Sequence, residues 1–316
     1  MARHFGQLHP GSDTGDLGLL TYLLESGSDR IGGLDFQASS TAYEPRVGRA
    51  SLAELQSAAE MLETGVELSP ELAEALLLGT SIGGARPKVL IDDDDRKLIA
   101  KLSSTTDTYP VVKAEAVAMD LARRCGIHAA PVEMISSVGH DVLLVERFDR
   151  TLVHGERRLM VSALTMLRLD EMMARYATYP DFADLIRKRF TDPVATLREL
   201  FRRIVFNICI SNNDDHARNH AAFWDGQQLS LTPAYDLCPQ PRSGTEASQA
   251  MAIGRNGEQE SRLAVCRDAC ETYLLSQAEA NQIIDEWISA FDHSIYRLLT
   301  DWPVAGKCCA RFGLNP

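Results

Sequence analysis

The sequence has 316 residues, of which 45% are hydrophobic and 24% are charged, and its formal net charge is −12. Such a composition is typical of a globular protein long enough for two lobes with cores of their own, and it excludes a disordered chain. The negative charge argues against nucleic acid as the main ligand, because affinity for DNA depends on neutralising its phosphates.

The sequence carries no signal for a membrane or for export. It contains no run of about 18 or more apolar residues, and its start, "MARHFGQLHPGSDTGDLG", lacks the apolar segment of a signal peptide. Its seven cysteines include no C-x-x-C pair, which fits a reducing compartment better than a disulfide framework. We therefore expect a cytoplasmic protein that does not bind a membrane.

The first half of the chain predicts a small antiparallel sheet with one helix. An apolar segment, "LGLLTYLL", and a strand-like stretch, "GGLDFQA", come first. The Gly-rich "GTSIGGARPK" then leads into a strand, "DDDD" at 92–95 forms a turn, and "RKLIAKL" forms a second strand. Residues 111–124 have a helical pattern that stops at Gly126. Two further strands, "PVEMIS" and "DVLLVERF", flank a turn near Gly139.

Beyond Arg150 the sequence is almost entirely helical until a polar cluster, "SNNDDHARNH", at 211–220. This cluster follows "LFRRIVFNICI", whose apolar positions recur at helical spacing, so it begins where a buried helix ends. The fold class that these elements predict is α+β. It consists of a small sheet with one helix, a short connector and a larger, mostly helical lobe.

The polar cluster has the spacing of a phosphoryl-transfer site. Asp214 and Asn219 are five positions apart, which is the interval between the base and the magnesium-binding amide in the catalytic loop of protein kinases. The next stretch, "AAFWDGQQLSLTP", predicts a hairpin turn at Asp225-Gly226, which returns the chain so that Asp236 lies beside Asn219. An amide and a carboxylate are hard oxygen ligands that suit Mg²⁺.

The front lobe supplies the other parts of a nucleotide site. Ile99 and Lys101 share one face of a strand, which offers an apolar side chain to adenine and an ammonium to phosphates. Glu115, on the helix of this lobe, could hold the ammonium in position, although both charges could also lie on the plain surface. Gly83 and Gly84 would let backbone amides approach phosphate. The segment "VERFDR" stands where a kinase hinge meets adenine.

These motifs follow the order found in protein kinases, and together they resemble one family. "GTSIGGARPK", "LIAK", "LLVERFDR", "NNDDHARN" and "LTPAYDL" are similar to the motifs of HipA-like toxin kinases, the serine/threonine kinases of bacterial toxin–antitoxin modules. The resemblance implies a protein-kinase-like fold with a small sheet-containing N-lobe and a larger helical C-lobe. The roles that it implies are a catalytic base at Asp214, magnesium ligands at Asn219 and Asp236, a phosphate-binding Lys101, an adenine-contacting hinge at Glu146 and Phe148, and an autophosphorylated Ser81.

One histidine departs from the eukaryotic kinase pattern. The His-Arg that precedes the base in eukaryotic kinases is absent, and His216 follows the base instead, as in HipA-like chains. We expect His216 to support the loop by hydrogen bonding.

The resemblance also implies cofactors and partners. ATP and Mg²⁺ are the cofactors, and the protein substrate is an aminoacyl-tRNA synthetase, often the glutamyl enzyme. A small HipB-like DNA-binding antitoxin is the partner, and this chain associates with DNA only indirectly, through the antitoxin.

The resemblance further divides the chain. The segment before the Gly-rich loop is shorter than in full-length HipA-like chains, so we expect either a truncated gene product or a separate small protein that supplies the missing N-terminal subdomain. The predicted domains are a partial N-terminal subdomain at 1–78, a kinase-like N-lobe at 79–150 and a helical C-lobe at 151–316.

Two other interpretations of the sequence stay open. In a metal hydrolase, His216 and His220 would share one metal with Asp214 or Asp215, although the Glu of an H-E-x-x-H site is missing. In a binding-only protein, the chain would be a catalytically weak, nucleotide-binding corepressor that acts with a DNA-binding antitoxin. Ser81, in turn, could be an ordinary turn residue of the Gly-rich loop.

Overall fold

The structure is a computed structural model that divides into two compact units. The first combines residues 1–112 with 132–158, and the second combines 113–131 with 159–316. The boundaries predicted at 79 and 151 stay a prediction. No helix within the described residues is long and apolar enough to cross a bilayer. The structure describes residues 18–46, 53, 54, 57, 61, 69, 82, 88–93, 96–104, 107–137, 140–151, 156–241 and 246–301.

The first unit contains the predicted antiparallel sheet. Its strands are β1 (Lys88–Asp93), β2 (Arg96–Leu102), β3 (Val132–Ser137) and β4 (His140–Glu146), in the order β1-β2-β4-β3. Residues 142–145 of the inner strand β4 are all buried, because a strand between two neighbours has no exposed edge. A helix, α1 (Leu19–Glu25), precedes the sheet.

The strand predicted for "GGLDFQA" does not form. Residues 32–38 pair with no other strand. The Asp35 carboxylate accepts hydrogen bonds from the Phe36 backbone and the Gln37 side chain, at 2.8 and 2.9 Å, and pairs with Arg46 at 3.1 Å. An aspartate that binds nearby groups in this way gives the backbone an alternative to pairing in a sheet. The prediction from strand propensity did not take these side-chain hydrogen bonds into account.

A buried charge network ties residues 29–32 to the end of β4. The Asp149 carboxylate accepts hydrogen bonds from Gly32 N at 2.7 Å and from Arg147 and Arg150, each at 2.8 Å. The same two guanidiniums pair with Asp29 at 2.9 and 2.6 Å. Burial acts to raise the pKa of the Asp149 carboxyl, but the two guanidiniums outweigh it and hold that pKa below its ordinary value.

The second unit is mostly helical and also contains a small sheet. Its sheet has the order β5-β6-β7, formed by Met160–Ser162, Ala221–Trp224 and Leu229–Leu231. Strand β5 was not predicted, because three residues are too few for a period-2 pattern. Helix α2 (Val111–Arg124) belongs to this unit except for its first two residues. The other helices of the unit are α3 (Ala163–Met166), α4 (Tyr179–Arg189), α5 (Pro193–Cys209), α6 (Leu263–Asp268) and α7 (Gln277–Asp301), with 3-10 turns at Ala174–Tyr176 and Cys270–Tyr273.

Helices α4 and α5 begin where the sequence provides caps. The Thr178 hydroxyl accepts from Asp181 N at 3.1 Å, and the Asp192 carboxylate accepts from Ala195 N at 3.0 Å. A proline stands in the first turn of each helix, where its missing N–H costs nothing. Helix α5 buries nearly its whole second half, including Ile204, Val205 and Phe206, so its C-terminal end emerges from the core.

Candidate active site

The polar cluster forms a loop that leaves the buried end of α5. Ser211 turns the chain with a left-handed φ of +60°. The Asn212 backbone N–H then donates to Asn207 O at 2.8 Å, and the Asn212 side chain donates to the Asn207 amide oxygen at 3.0 Å. Residues 212–216 have no helical structure. The loop therefore starts from a fixed point inside the core.

The two adjacent aspartates of this loop have opposite environments. Asp214 is exposed, whereas Asp215 is only 2% exposed. One oxygen of Asp215 accepts hydrogen bonds from the Tyr179 hydroxyl, from Asn207 Nδ2 at 2.7 Å and from His220 Nε2 at 2.9 Å. Asp214 is thus the carboxylate of this pair that a substrate hydroxyl can reach.

The network keeps Asp215 ionised. Burial, the largest influence, acts to raise the pKa of its carboxyl, but His220 and the hydrogen bonds of the network outweigh burial and lower this pKa. Burial and the charge of Asp215 raise the pKa of the Tyr179 hydroxyl, so that it stays protonated. Because a carboxylate only accepts hydrogen bonds, the Nε2 atom of His220 carries a proton.

The hairpin returns the chain to this loop, as the sequence predicts. Strands β6 and β7 pair across a turn in which Gly226 has a φ of +101° and Asp225 accepts two backbone hydrogen bonds, at 2.8 and 2.7 Å. Beyond β7, the Tyr235 hydroxyl donates to Arg218 O at 2.6 Å. The residue before Asp236 therefore contacts the residue before Asn219.

The side chains of Asn219 and Asp236 are suited to a hard cation. Asn219 is 8% exposed, and its amide nitrogen donates to Asp214 O at 3.4 Å, which leaves the amide oxygen as its other polar atom. Asp236 is half-buried with a left-handed φ of +60°, a backbone strain of the kind that clusters at functional sites. A carboxylate and an amide oxygen are donors that Mg²⁺ accepts, so these residues fit the predicted metal.

The candidate residues of the first unit lie on β2 and at the end of β4. Lys101 is 7% exposed, so the interpretation of this lysine as plain surface charge is wrong. Ile99, two positions away on the same strand face, is half-buried, as are Glu146 and Phe148. The Arg147 backbone N–H between these last two residues donates to Lys97 O at 2.8 Å. The nucleotide roles of Lys101, Ile99, Glu146 and Phe148 stay predictions.

Glu115 is likewise buried, in the second unit. On α2 it is 4% exposed, on the same face as the buried Ala118 and Ala122, so it too is not plain surface charge. A buried ionised side chain is costly unless it has a partner. The pairing of Glu115 with Lys101 stays a prediction, and Gly83, Gly84 and Ser81 lie outside the described residues.

The histidine that braces the loop is His220. His216 Nδ1 is buried and has no hydrogen-bond partner within the described residues, so the bracing bond predicted for His216 is not made by this atom. The metal-hydrolase interpretation placed both imidazoles on one metal, but residues 212–216 are not helical and His220 Nε2 is engaged with Asp215. Within the described part of the chain, no group of three or more His, Cys, Asp or Glu side chains could hold a metal ion.

Sequence reasoning missed Tyr179 and Asn207, and it named Asp215 only as an alternative metal ligand. One signal was present: Asn207 interrupts the apolar run 204–208 in the buried second half of α5, and a buried amide requires a polar partner. Tyr179 is 36 positions from Asp215, and no local pattern relates the two.

Comparison with known proteins settles the family. The model of the HipA-like C-terminal domain matches residues 80–295, which is more than half of the chain. The chain belongs to the HipA-like C-terminal domain family. The recognition of this family from its motifs is thereby confirmed.

Individual relatives of this HipA-like chain match about half of it. A putative kinase, Y4mE, of Sinorhizobium fredii is 29% identical over 188 residues, which are 53% of this chain and 44% of that protein. The serine/threonine-protein kinase toxin HipA of Shewanella oneidensis is 24% identical over 183 residues, 50% of this chain and 42% of that protein. The HipA-like chain thus spans about half the length of the curated relatives it matches.

A solved structure shares the fold of the HipA-like chain. It is the complex of HipA, HipB and operator DNA from Shewanella oneidensis, with a TM-score of 0.69 and 20% sequence identity over 87% of this chain and 70% of that chain. This likeness confirms the predicted α+β, protein-kinase-like fold.

Proposed function

We propose that this chain is an ATP- and Mg²⁺-dependent protein serine/threonine kinase that acts as the toxin of a HipA-like toxin–antitoxin system. The observation that carries the proposal is the link between the catalytic-type loop and the returning hairpin, where Tyr235 binds Arg218 O beside Asn219 and Asp236. The relatives named as kinases support the same reaction.

Each candidate residue has one task in the proposed transfer. Asp214 is exposed, so it can orient the substrate hydroxyl and accept its proton. Asn219 and Asp236 would hold Mg²⁺, which when bound neutralises charge on the phosphates. Lys101 orients those phosphates, with Ile99, Glu146 and Phe148 around adenine and Glu115 supporting the lysine. Catalysis of this kind depends on positioning and electrostatics.

The proposed partners follow from the family. The related HipA of Shewanella oneidensis was solved in a complex with HipB and operator DNA, which supports a HipB-like antitoxin as the partner here. We propose an aminoacyl-tRNA synthetase, with the glutamyl enzyme first among candidates, as the protein substrate.

A radiolabelled transfer assay tests the proposed function. Purified protein is incubated with ATP labelled on the γ-phosphate, Mg²⁺ and each candidate synthetase, beside the Asp214→Asn variant. We expect label on a serine of one synthetase with wild type and none with the variant. ATP binding without any transfer would contradict the kinase and favour the corepressor.

Autophosphorylation at Ser81 is expected to switch the protein off. A phosphate adds roughly −1.5 to −2 charges, and in a Gly-rich loop it would repel the phosphates of ATP. We expect phospho-Ser81 to form with ATP and Mg²⁺, to be absent in Asp214→Asn, and to weaken ATP binding. Mass spectrometry tests the modification, and calorimetric titration of the modified protein with ATP tests the switch. An unchanged ATP affinity would leave a modified serine without a regulatory role.

The isolated chain is expected to bind operator DNA weakly. With a net charge of −12 it releases few counterions from the phosphate backbone. A fluorescence-anisotropy titration of labelled operator should show binding only after the basic antitoxin is added. Tight, salt-sensitive binding by this chain alone would overturn the expectation.

A further inference from the structure

Asp215 connects the loop to three separate elements of the second unit. Its hydrogen-bond donors are Tyr179 in the first turn of α4, Asn207 near the end of α5 and His220 directly before β6. All of these side chains are buried. One carboxylate oxygen therefore connects the start of α4, the end of α5 and the residue before β6 by hydrogen bonds.

The donors themselves are held in place. The Tyr179 backbone N–H donates to Ala252 O at 3.0 Å. The Tyr179 ring meets the His220 ring edge-on, with centroids 5.7 Å apart, and the Phe182 ring lies 5.8 Å from the same imidazole. These aromatic rings exclude water from the network, which strengthens each hydrogen bond to the charge.

A buried carboxylate of this kind is a costly way to stabilise a fold. Well-packed apolar residues of similar volume often stabilise a core equally well or better, so retention of the charge suggests a task that packing cannot perform. Proton transfer from a substrate is not that task, because Asp215 is 2% exposed and occupied by its donors. Its neighbour Asp214 is exposed.

We infer that Asp215 is the positioning residue of the catalytic loop, an inference that rests on the proposed kinase function. The network holds the loop at Asp215, directly after Asp214, and at His220, directly after Asn219. Fixing this stretch orients the Asp214 carboxylate toward the substrate hydroxyl and the Asn219 amide toward the metal. A displacement of about 1 Å in such a group lowers the rate about 100-fold.

The test compares two buried tyrosine hydroxyls. Tyr179→Phe removes one donor to Asp215. Tyr273→Phe is the matched control, because the Tyr273 hydroxyl is equally buried but donates to Ile253 O, at 2.6 Å, and not to Asp215. Asp215→Asn is the stronger variant, and Tyr179→Phe keeps the test usable if Asp215→Asn does not fold.

The readouts are kcat, the KM for ATP and the Mg²⁺ concentration that gives half-maximal rate. Positioning predicts that, at saturating Mg²⁺, Tyr179→Phe lowers kcat about 10-fold and Asp215→Asn about 100-fold, with KM for ATP unchanged. The half-saturating Mg²⁺ concentration should rise in both, because Asn219 moves with the loop. Tyr273→Phe should lower the melting temperature as much as Tyr179→Phe does and leave all three kinetic readouts unchanged.

Amide hydrogen exchange provides a readout that does not depend on turnover. Exchange at residues 212–219 should be faster in Tyr179→Phe than in Tyr273→Phe. If Tyr179→Phe and its control have the same kcat and the same Mg²⁺ requirement, Asp215 is only structural and the inference is wrong. If wild type itself transfers no phosphate, the proposed function fails, and the positioning role fails with it.

Discussion

Asp214→Asn is expected to abolish phosphoryl transfer while it leaves ATP binding intact. The Asn amide cannot accept a proton as the Asp214 carboxylate can, and loss of a general base lowers rates about 10²- to 10⁴-fold. Asn has the same shape, and Asp214 is exposed, so the variant should fold normally. Single-turnover transfer from labelled ATP measures the rate, and calorimetric titration measures ATP affinity.

The Asp236→Asn variant should separate metal binding from base chemistry. Its amide keeps an oxygen donor but loses the negative charge that attracts Mg²⁺. We expect it to lose both transfer and the Mg²⁺-dependent part of ATP affinity, whereas Asp214→Asn loses transfer alone. Titrations with ATP in the presence of Mg²⁺ and of EDTA distinguish the two variants.

Asp225→Asn is the control for both substitutions. Asp225 is exposed at the hairpin turn, where its carboxylate accepts backbone hydrogen bonds from Gln227 and Gln228 that an Asn oxygen can also accept. This variant should match wild type in transfer and in ATP binding. Near-normal transfer by Asp214→Asn or Asp236→Asn would reject the assigned roles.

Asp149→Ala should strongly lower the stability of the first unit. It leaves the Arg147 and Arg150 guanidiniums buried with one carboxylate fewer between them, and their side chains are 0% and 4% exposed. Removing one partner of a buried ion pair costs about 3–5 kcal/mol. Urea denaturation followed by circular dichroism, together with hydrogen exchange in β2 and β4, measures the change in unfolding free energy.

The matched control for Asp149→Ala is Asp93→Ala in the same unit. Asp93 pairs with Arg96 on the surface, where the two side chains are 47% and 42% exposed, and solvent screening leaves such a pair little effect on stability. Equal losses in the two variants would show that the Asp149 network adds nothing beyond a surface ion pair.

The stabilisation by Asp149 should also depend on pH. The pKa of Asp149 is lower in the folded protein than its ordinary value of 3.8, so the folded state favours the ionised form. The stability difference between wild type and Asp149→Ala is therefore complete above about pH 5 and falls as acid protonates the folded carboxyl below about pH 4. Urea midpoints of the two proteins measured between neutral pH and pH 3 test this direction.

Local sequence patterns predicted several elements correctly. Helix α2 spans Val111–Arg124 and ends before Gly126, whose φ is +83°, because glycine adopts the left-handed conformation of a helix end without strain. The hairpin at Asp225-Gly226 formed because the Asp225 carboxylate accepts two backbone hydrogen bonds of the turn and Gly226 adopts the positive φ that the turn requires. Each of these predictions depends on interactions between residues only a few positions apart.

Patterns of the same kind failed where distant residues compete with local preference. "GGLDFQA" has strand propensity, but within it the Asp35 carboxylate accepts a hydrogen bond from the Phe36 backbone. The backbone N–H of Gly32, the first residue of the segment, donates to Asp149, which is 117 positions away. Strand β5 exists because Val161 pairs with Ala222, and three residues on their own carry no readable period.

The candidate site divides in the same way. The sequence by itself determined the family, and the five-residue interval from Asp214 to Asn219 predicted a catalytic-type loop, because the groups of one loop are related by their spacing along the chain. Only the tertiary structure distinguished the two adjacent aspartates. Asp215 is buried because α4 and α5 bring Tyr179 and Asn207 to it. Packing between elements decides whether a carboxylate faces solvent or hydrogen-bond donors, and the spacing of residues along the sequence does not specify that packing.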